Sequence, residues 1–308
     1  MILKFISVVT IGLAFCNETI AQGCSDAGFC TIGGFKPNSN DSIKTKNQKL
    51  SLIAGNGIGD EGVYVFTPAI QYDNQLSNQW AIQAKLTANY ASGNLGSATG
   101  LGDVFLTSTF TPKHKGKWKT GIVLGTKIPL NNSNLKVNDK PLPMQYQSSL
   151  GTFDLITGLA LNNQKWLIAA GLQLPLSGTN RNAFLPVYWN TSNASKYSSS
   201  NDFKRKPDVL ARIGYDISSQ KKWKFNLGLL GIYHLGNDSY IDGNLSRQPI
   251  EIKGSDGLTL NGTFATWYKA SKKLTLSLTA GTPFIVRDVR PDGLTRKFVI
   301  SPEVIFHF

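Results

Sequence analysis

The 308-residue chain carries 32 Lys and Arg against 19 Asp and Glu, a net charge of +13, with 41% hydrophobic residues and a mean hydropathy of −0.14. No apolar stretch reaches the roughly eighteen residues of a transmembrane helix. The cations gather at short turns and not along a helix or an aromatic-lined patch, which argues against nucleic acid as a partner.

Residues 1–4 are basic and residues 5–15 form a short apolar run, the pattern of a secretory signal. Thr19-Ile20-Ala21 supplies small residues for cleavage before Gln22, so 1–21 reads as a signal peptide removed in the mature chain. Phe15, bulky beside Cys16, disfavours a lipid anchor there. Residues 22–48 do not read as a strand. Cys24 and Cys30 leave an even count in an exported chain, which predicts a disulfide. This partly apolar stretch is expected to enter the barrel described next as a plug, with a loose periplasmic tail as the alternative. No His or second Cys pair completes a metal site, and no cofactor-binding loop is present in the sequence.

From residue 49 onward the pattern has period two. Between 79 and 91, Trp80, Ile82, Ala84, Leu86, Ala88 and Tyr90 share one face, and Gln83, Lys85, Thr87 and Asn89 the other. Twelve such segments follow: 49–56, 62–73, 79–91, 102–112, 117–130, 149–162, 165–176, 207–218, 222–235, 258–270, 273–286 and 297–308. Short connections (74–78, 113–116, 163–164, 219–221, 271–272) alternate with longer ones (92–101, 131–148, 177–206, 236–257, 287–296); only 57–61 breaks the alternation. Short turns on one side and long loops on the other predict an all-β protein, a transmembrane antiparallel up-and-down β-barrel of about 12 strands over 49–308. Its place is the outer membrane, with both mature termini periplasmic.

The aromatic residues supply a second signal. Trp80, Trp118, Trp166 and Trp223 open strands that leave short turns, and Trp267 and Tyr268 precede another, as a girdle at the membrane interface requires. Phe298, Ile300, Pro302, Val304, Phe306 and Phe308 share one face of the last segment. A terminal strand ending in Phe resembles the closing strand of outer-membrane barrels, which implies Phe306 and Phe308 as an assembly signal read by the barrel-assembly machinery. Outer-membrane lipid and lipopolysaccharide are the other expected partners, beside a small-molecule substrate.

Gly100-Leu101-Gly102-Asp103 enters a strand, and the next strand ends Gly125-Thr126-Lys127-Ile128-Pro129-Leu130, echoed by Gly171-Leu172-Gln173-Leu174-Pro175-Leu176. This pattern, clearest over 100–130, resembles barrels assigned to phenol meta-pathway transport, a group of outer-membrane channels for hydrophobic compounds. The resemblance implies a passive transporter and says little about its substrate.

With the apolar face outward, Lys85, Lys127, Arg212, Asp103, Asp154, Glu303 and His234 point into the lumen. Two readings stand. The cations line a pathway for small amphipathic anions, or they pair with the acids in a filled interior. Surface display through loops 177–206 and 236–257 is an alternative function. Lipid hydrolysis is another, since outer-membrane phospholipases are also twelve-stranded. It needs a serine within reach of a histidine, and no inward serine lies at the height of His234, so the chain does not read as an enzyme.

Overall fold

The computed structural model describes residues 32–37, 48–113, 116–178, 180–218, 222–243, 248–293 and 296–308. The expected signal peptide 1–21 and the Cys24–Cys30 pair lie outside the described residues. Twelve strands form one closed antiparallel barrel: β1 Gln48–Gly59, β2 Tyr64–Gln75, β3 Trp80–Gly93, β4 Gly96–Phe110, β5 Lys119–Pro129, β6 Thr152–Asn162, β7 Trp166–Gly178, β8 Asp208–Ser218, β9 Trp223–His234, β10 Gly257–Lys269, β11 Leu274–Ile285 and β12 Arg296–His307. Each pairs with its sequence neighbour, and β12 closes on β1, from Lys49 opposite His307 to Gly59 opposite Arg296. Closure leaves no unpaired sheet edge, which a bilayer demands of a spanning sheet. Every strand has the roughly nine to eleven residues needed to cross.

The period-two pattern becomes two surfaces. Outward side chains are apolar and exposed, among them Leu52, Ile70, Leu86, Leu106, Leu124, Leu159, Ile213, Leu229 and Leu276. This belt faces lipid. The inward set is buried and mostly polar, with an apolar patch at Phe105, Val123, Ile156 and Ala160.

The aromatic rim forms as cross-strand pairs. Trp80 packs on Phe110, Trp166 on Tyr215 and Trp223 on Tyr268, each with ring centroids 4.7 Å apart. All three are register partners on adjacent strands, where such rings interact most strongly. Trp118 is exposed at the same rim, and Phe306 and Phe308 also face outward there. Trp267 does not join them. It is 4% exposed, on the inward face of β10 with Thr259, Asn261 and Ala265. The odd-numbered register of that strand turns it into the lumen, and proximity to the turn does not override parity.

The 92–101 stretch is not a long loop. β3 and β4 extend into it and meet at a tight turn at Asn94 and Leu95. Its glycines are strand residues covered by another segment: a Cβ at Gly102 would lie 2.4 Å from Thr87 Oγ1 and 2.8 Å from the Ser148 carbonyl oxygen. Gly100-Leu101-Gly102-Asp103 therefore lets residues 148–149 pack closely over the sheet. The β1–β2 connection is equally tight. Residues 60–62 form a single 3-10 turn, in which Gly62 takes φ +73°.

The four remaining long connections pack over the loop rim. Met144, Leu150, Phe203 and Ile252 form one buried cluster there; Leu142, Tyr146, Phe184, Ala194 and Tyr197 belong to a second. Two short ribbons, Lys136–Val137 with Lys140–Pro141 and Ser239–Ile241 with Pro249–Glu251, stiffen these connections.

Candidate functional site

The lumen contains the candidate site. Its most informative occupant is the N-terminal segment 32–37, built around the 3-10 turn Gly33–Phe35. Ile32 and Phe35 are fully buried against Phe105, Val123, Ile156, Ala160 and other inward residues. The Gly33 N–H donates to Gln83 Oε1 at 3.1 Å, and Arg212 Nη1 donates to the Phe35 carbonyl at 3.0 Å. Lys36 Nζ pairs with Glu303 at 2.8 Å. The close fit uses small residues: a Cβ at Gly158 would meet the Phe35 ring at 2.8 Å.

Among the described residues, two cavities border this segment. One, of about 520 Å³, lies on the short-turn side, with Lys49, Asp73, Asn74, Lys119, Asn162 and His307 in its wall. The other, of about 140 Å³, lies on the loop side, between Lys36 and Pro37 below and residues 144–145 and 147–150 above.

The structure places Lys85, Lys127, Arg212, Asp103, Asp154, Glu303 and His234 inward, each at most 8% exposed, but does not join them into one constellation. Lys127 Nζ meets Asp154 Oδ2 at 2.8 Å and donates to Thr152 Oγ1 at 2.9 Å, and Gln173 Nε2 donates to the same Asp154 carboxylate. That is a structural ion pair in the wall. Glu303 takes its ion-pair partner from the N-terminal segment, and Ser51 of the adjacent β1 adds a hydrogen bond. Asp103 accepts a hydrogen bond from the Ser149 hydroxyl and so ties β4 to the covering connection. Lys85 adds to the positive field at Glu303. Arg212 has no acidic partner among the described residues, and its Nε has no hydrogen-bond partner.

His234 belongs to the loop rim. Its Nδ1 lies 2.6 Å from Asp208 and its Nε2 2.8 Å from Asp238. Carboxylates only accept, so both ring nitrogens donate and neither is left to deprotonate a serine. Arg205 joins Asp208 and Asp292, and Arg287 meets Asp292 at 2.8 Å. Burial alone would raise the Asp292 carboxyl, but Arg287 and Arg205 hold it well below the usual carboxylate range. This network ties three of the long connections to the barrel. Sequence reasoning missed Arg205, Arg287 and Asp292 because they lie in segments with no period.

Sequence reasoning also missed Lys36 as the partner of Glu303. Only the pairing of an inward acid with a cation in the 22–48 stretch could have suggested it. Trp267 gains a new role: Lys224 Nζ lies 5.5 Å from its ring centroid, and Lys224 pairs with Asp216 at 2.8 Å. Among the described residues no group of His, Cys, Asp and Glu could hold a metal ion.

No family model and no curated protein matches the chain. Solved structures do resemble it. The NanC porin aligns at 10% identity and TM-score 0.47, over 84% of this chain and 98% of that one. The CymD monoaromatic hydrocarbon channel aligns at 11% identity and TM-score 0.42, over 94% and 95%. Outer membrane phospholipase A from Escherichia coli aligns at 11% identity and TM-score 0.38, over 85% and 96%. A channel and a phospholipase align about equally well, so the likeness describes a barrel shape and carries no argument about activity.

Proposed function

We propose that the protein is a passive outer-membrane channel for small amphipathic or anionic compounds, of the hydrophobic-compound type that Gly100-Leu101-Gly102-Asp103 resembles. One observation carries the reading: the membrane-spanning barrel has a polar lumen with a cavity on each side of a short segment of its own chain. The 32–37 segment acts as the plug. The rim bearing the short turns, Gln48 and Phe308 is the periplasmic side. Lipopolysaccharide meets the opposite rim, and the barrel-assembly machinery inserts the chain. Transport is downhill, because the outer membrane offers no ATP to drive it. The commitment of both His234 nitrogens to carboxylates weighs against hydrolysis.

Conductance of the purified, folded protein in a planar bilayer tests this. The expected result is stepwise openings with an anion preference. Cation preference would overturn the anionic part of the reading. Silence from the full chain and equally from a chain lacking residues 22–45 would overturn the channel itself.

A further inference from the structure

Arg212 sits mid-strand in β8, opposite Ala169 and Leu230, and is 8% exposed. A guanidinium taken out of water is costly unless a full negative charge compensates it. Three other inward basic groups have such compensation: Lys127 at Asp154, Lys36 at Glu303, Lys224 at Asp216. Arg212 has one carbonyl oxygen, that of Phe35. Its Nε is buried with no partner.

The same residue lines the loop-side chamber of about 140 Å³. A cavity of roughly 150 Å³ with apolar walls takes one benzene ring. Phe105, Leu150, Ala265 and Trp267 supply apolar wall here. The carboxylates of the chamber are already engaged: Glu303 with Lys36, Asp292 with Arg287 and Arg205, and Asp103 with the Ser149 hydroxyl. They leave no carboxylate for Arg212.

We propose that Arg212 is the anion-binding group of an internal site for one small monocarboxylate with an aromatic or similarly compact apolar body. The carboxylate takes the two-point position on the Nη1–Nη2 edge that a planar guanidinium offers, and displaces the Phe35 carbonyl from Nη1. The apolar body lies against Phe105 and Trp267. Occupancy thereby removes one of the bonds that hold the 32–37 segment in the lumen, so the ligand loosens the plug it must pass. The inference rests on the lumen being a passage for small compounds, but binding is measurable without flux.

The test is equilibrium dialysis of radiolabelled benzoate against the full-length protein folded in detergent, with empty micelles as blank. Saturable binding near one per chain is expected, displaced by phenylacetate and not by benzyl alcohol. Arg212→Gln, with folding checked by heat-modifiable electrophoretic mobility, weakens binding about tenfold or more, as expected for losing a charge-assisted hydrogen bond. Absence of saturable benzoate binding, equal displacement by benzyl alcohol, or unchanged affinity in folded Arg212→Gln would each overturn the site. If Arg212→Gln does not fold, Arg212→Lys decides: it keeps the charge and loses the two-point geometry, so unchanged affinity overturns the proposal. A conducting barrel that ignores benzoate sinks this site alone. A silent barrel that binds benzoate sinks the channel reading and leaves the site standing.

Discussion

Lys36 and Glu303 give the most discriminating test of the plug. Glu303 is 4% exposed at its side chain and Lys36 17%, with 2.8 Å between the charges. Removing one member of a buried pair costs about 3–5 kcal/mol, because the other charge stays desolvated. Lys36 is partly exposed and Lys85 also acts on Glu303, so the low end applies, about 3 kcal/mol. Withdrawal of the segment lets water back to Glu303, so Lys36→Met favours the withdrawn state by about that amount, roughly 150-fold in the docked-to-withdrawn ratio. Glu303→Gln acts in the same direction by stranding Lys36. The double variant strands no charge, and the apolar burial of Ile32 and Phe35 remains. Single-channel recordings should therefore show higher open probability in both single variants and partial return toward wild type in the double, a non-additive cycle. Wild-type conductance in Lys36→Met, or a double variant more open than either single, would refute the reasoning.

Other consequences are as specific. In single-tryptophan variants reconstituted with brominated lipid, Trp80 and Trp223 should be quenched strongly and Trp267 weakly; strong quenching of Trp267 would contradict its inward register. Lys127→Ala strands Asp154, at 1% exposure, and should lower unfolding stability by about 3–5 kcal/mol, while Lys127→Met with Asp154→Leu should cost far less; urea titration in micelles measures both. Gly102→Ala forces a Cβ to 2.4 Å from Thr87 Oγ1 and should lower the same stability by about 1–3 kcal/mol, whereas Ala at Gly116, which meets nothing within 4 Å, should not. Burial pushes the Asp60 carboxyl in the β1–β2 turn up to about 6, against the opposing pull of Arg290. Between its ordinary 3.8 and about 6 the folded state holds the extra proton. Stability therefore falls as pH rises through that window, by up to roughly 3 kcal/mol, and Asp60→Asn should flatten the curve.

The barrel was legible because lipid on one face and a polar lumen on the other impose the same alternation on every strand. The twelve expected segments and the observed strands differ mainly at their ends. The errors have distinct physical origins. Glycine serves both turns and close-packed strands, so 92–101 read as a loop although Gly100 and Gly102 are there to admit Ser148 and its neighbours. Trp267 followed a rule about height in the membrane when parity along β10 already pointed it inward with Asn261. The polar face identified Lys85, Lys127, Arg212, Asp154 and Glu303 as inward, but periodicity says nothing about which charges meet. Neighbouring strands settle Lys127 with Asp154, a contact implied by register once β5 and β6 are paired. The ion-pair partner of Glu303 and the carbonyl that Arg212 holds come from a segment some 267 and 177 residues away in sequence, with no register to predict them. That difference bears on function. Pairs fixed by register belong to the wall and persist in any state of the barrel. Contacts made by the 32–37 segment are the ones that can be exchanged, and the cation it satisfies least, Arg212, is where an incoming carboxylate has most to gain.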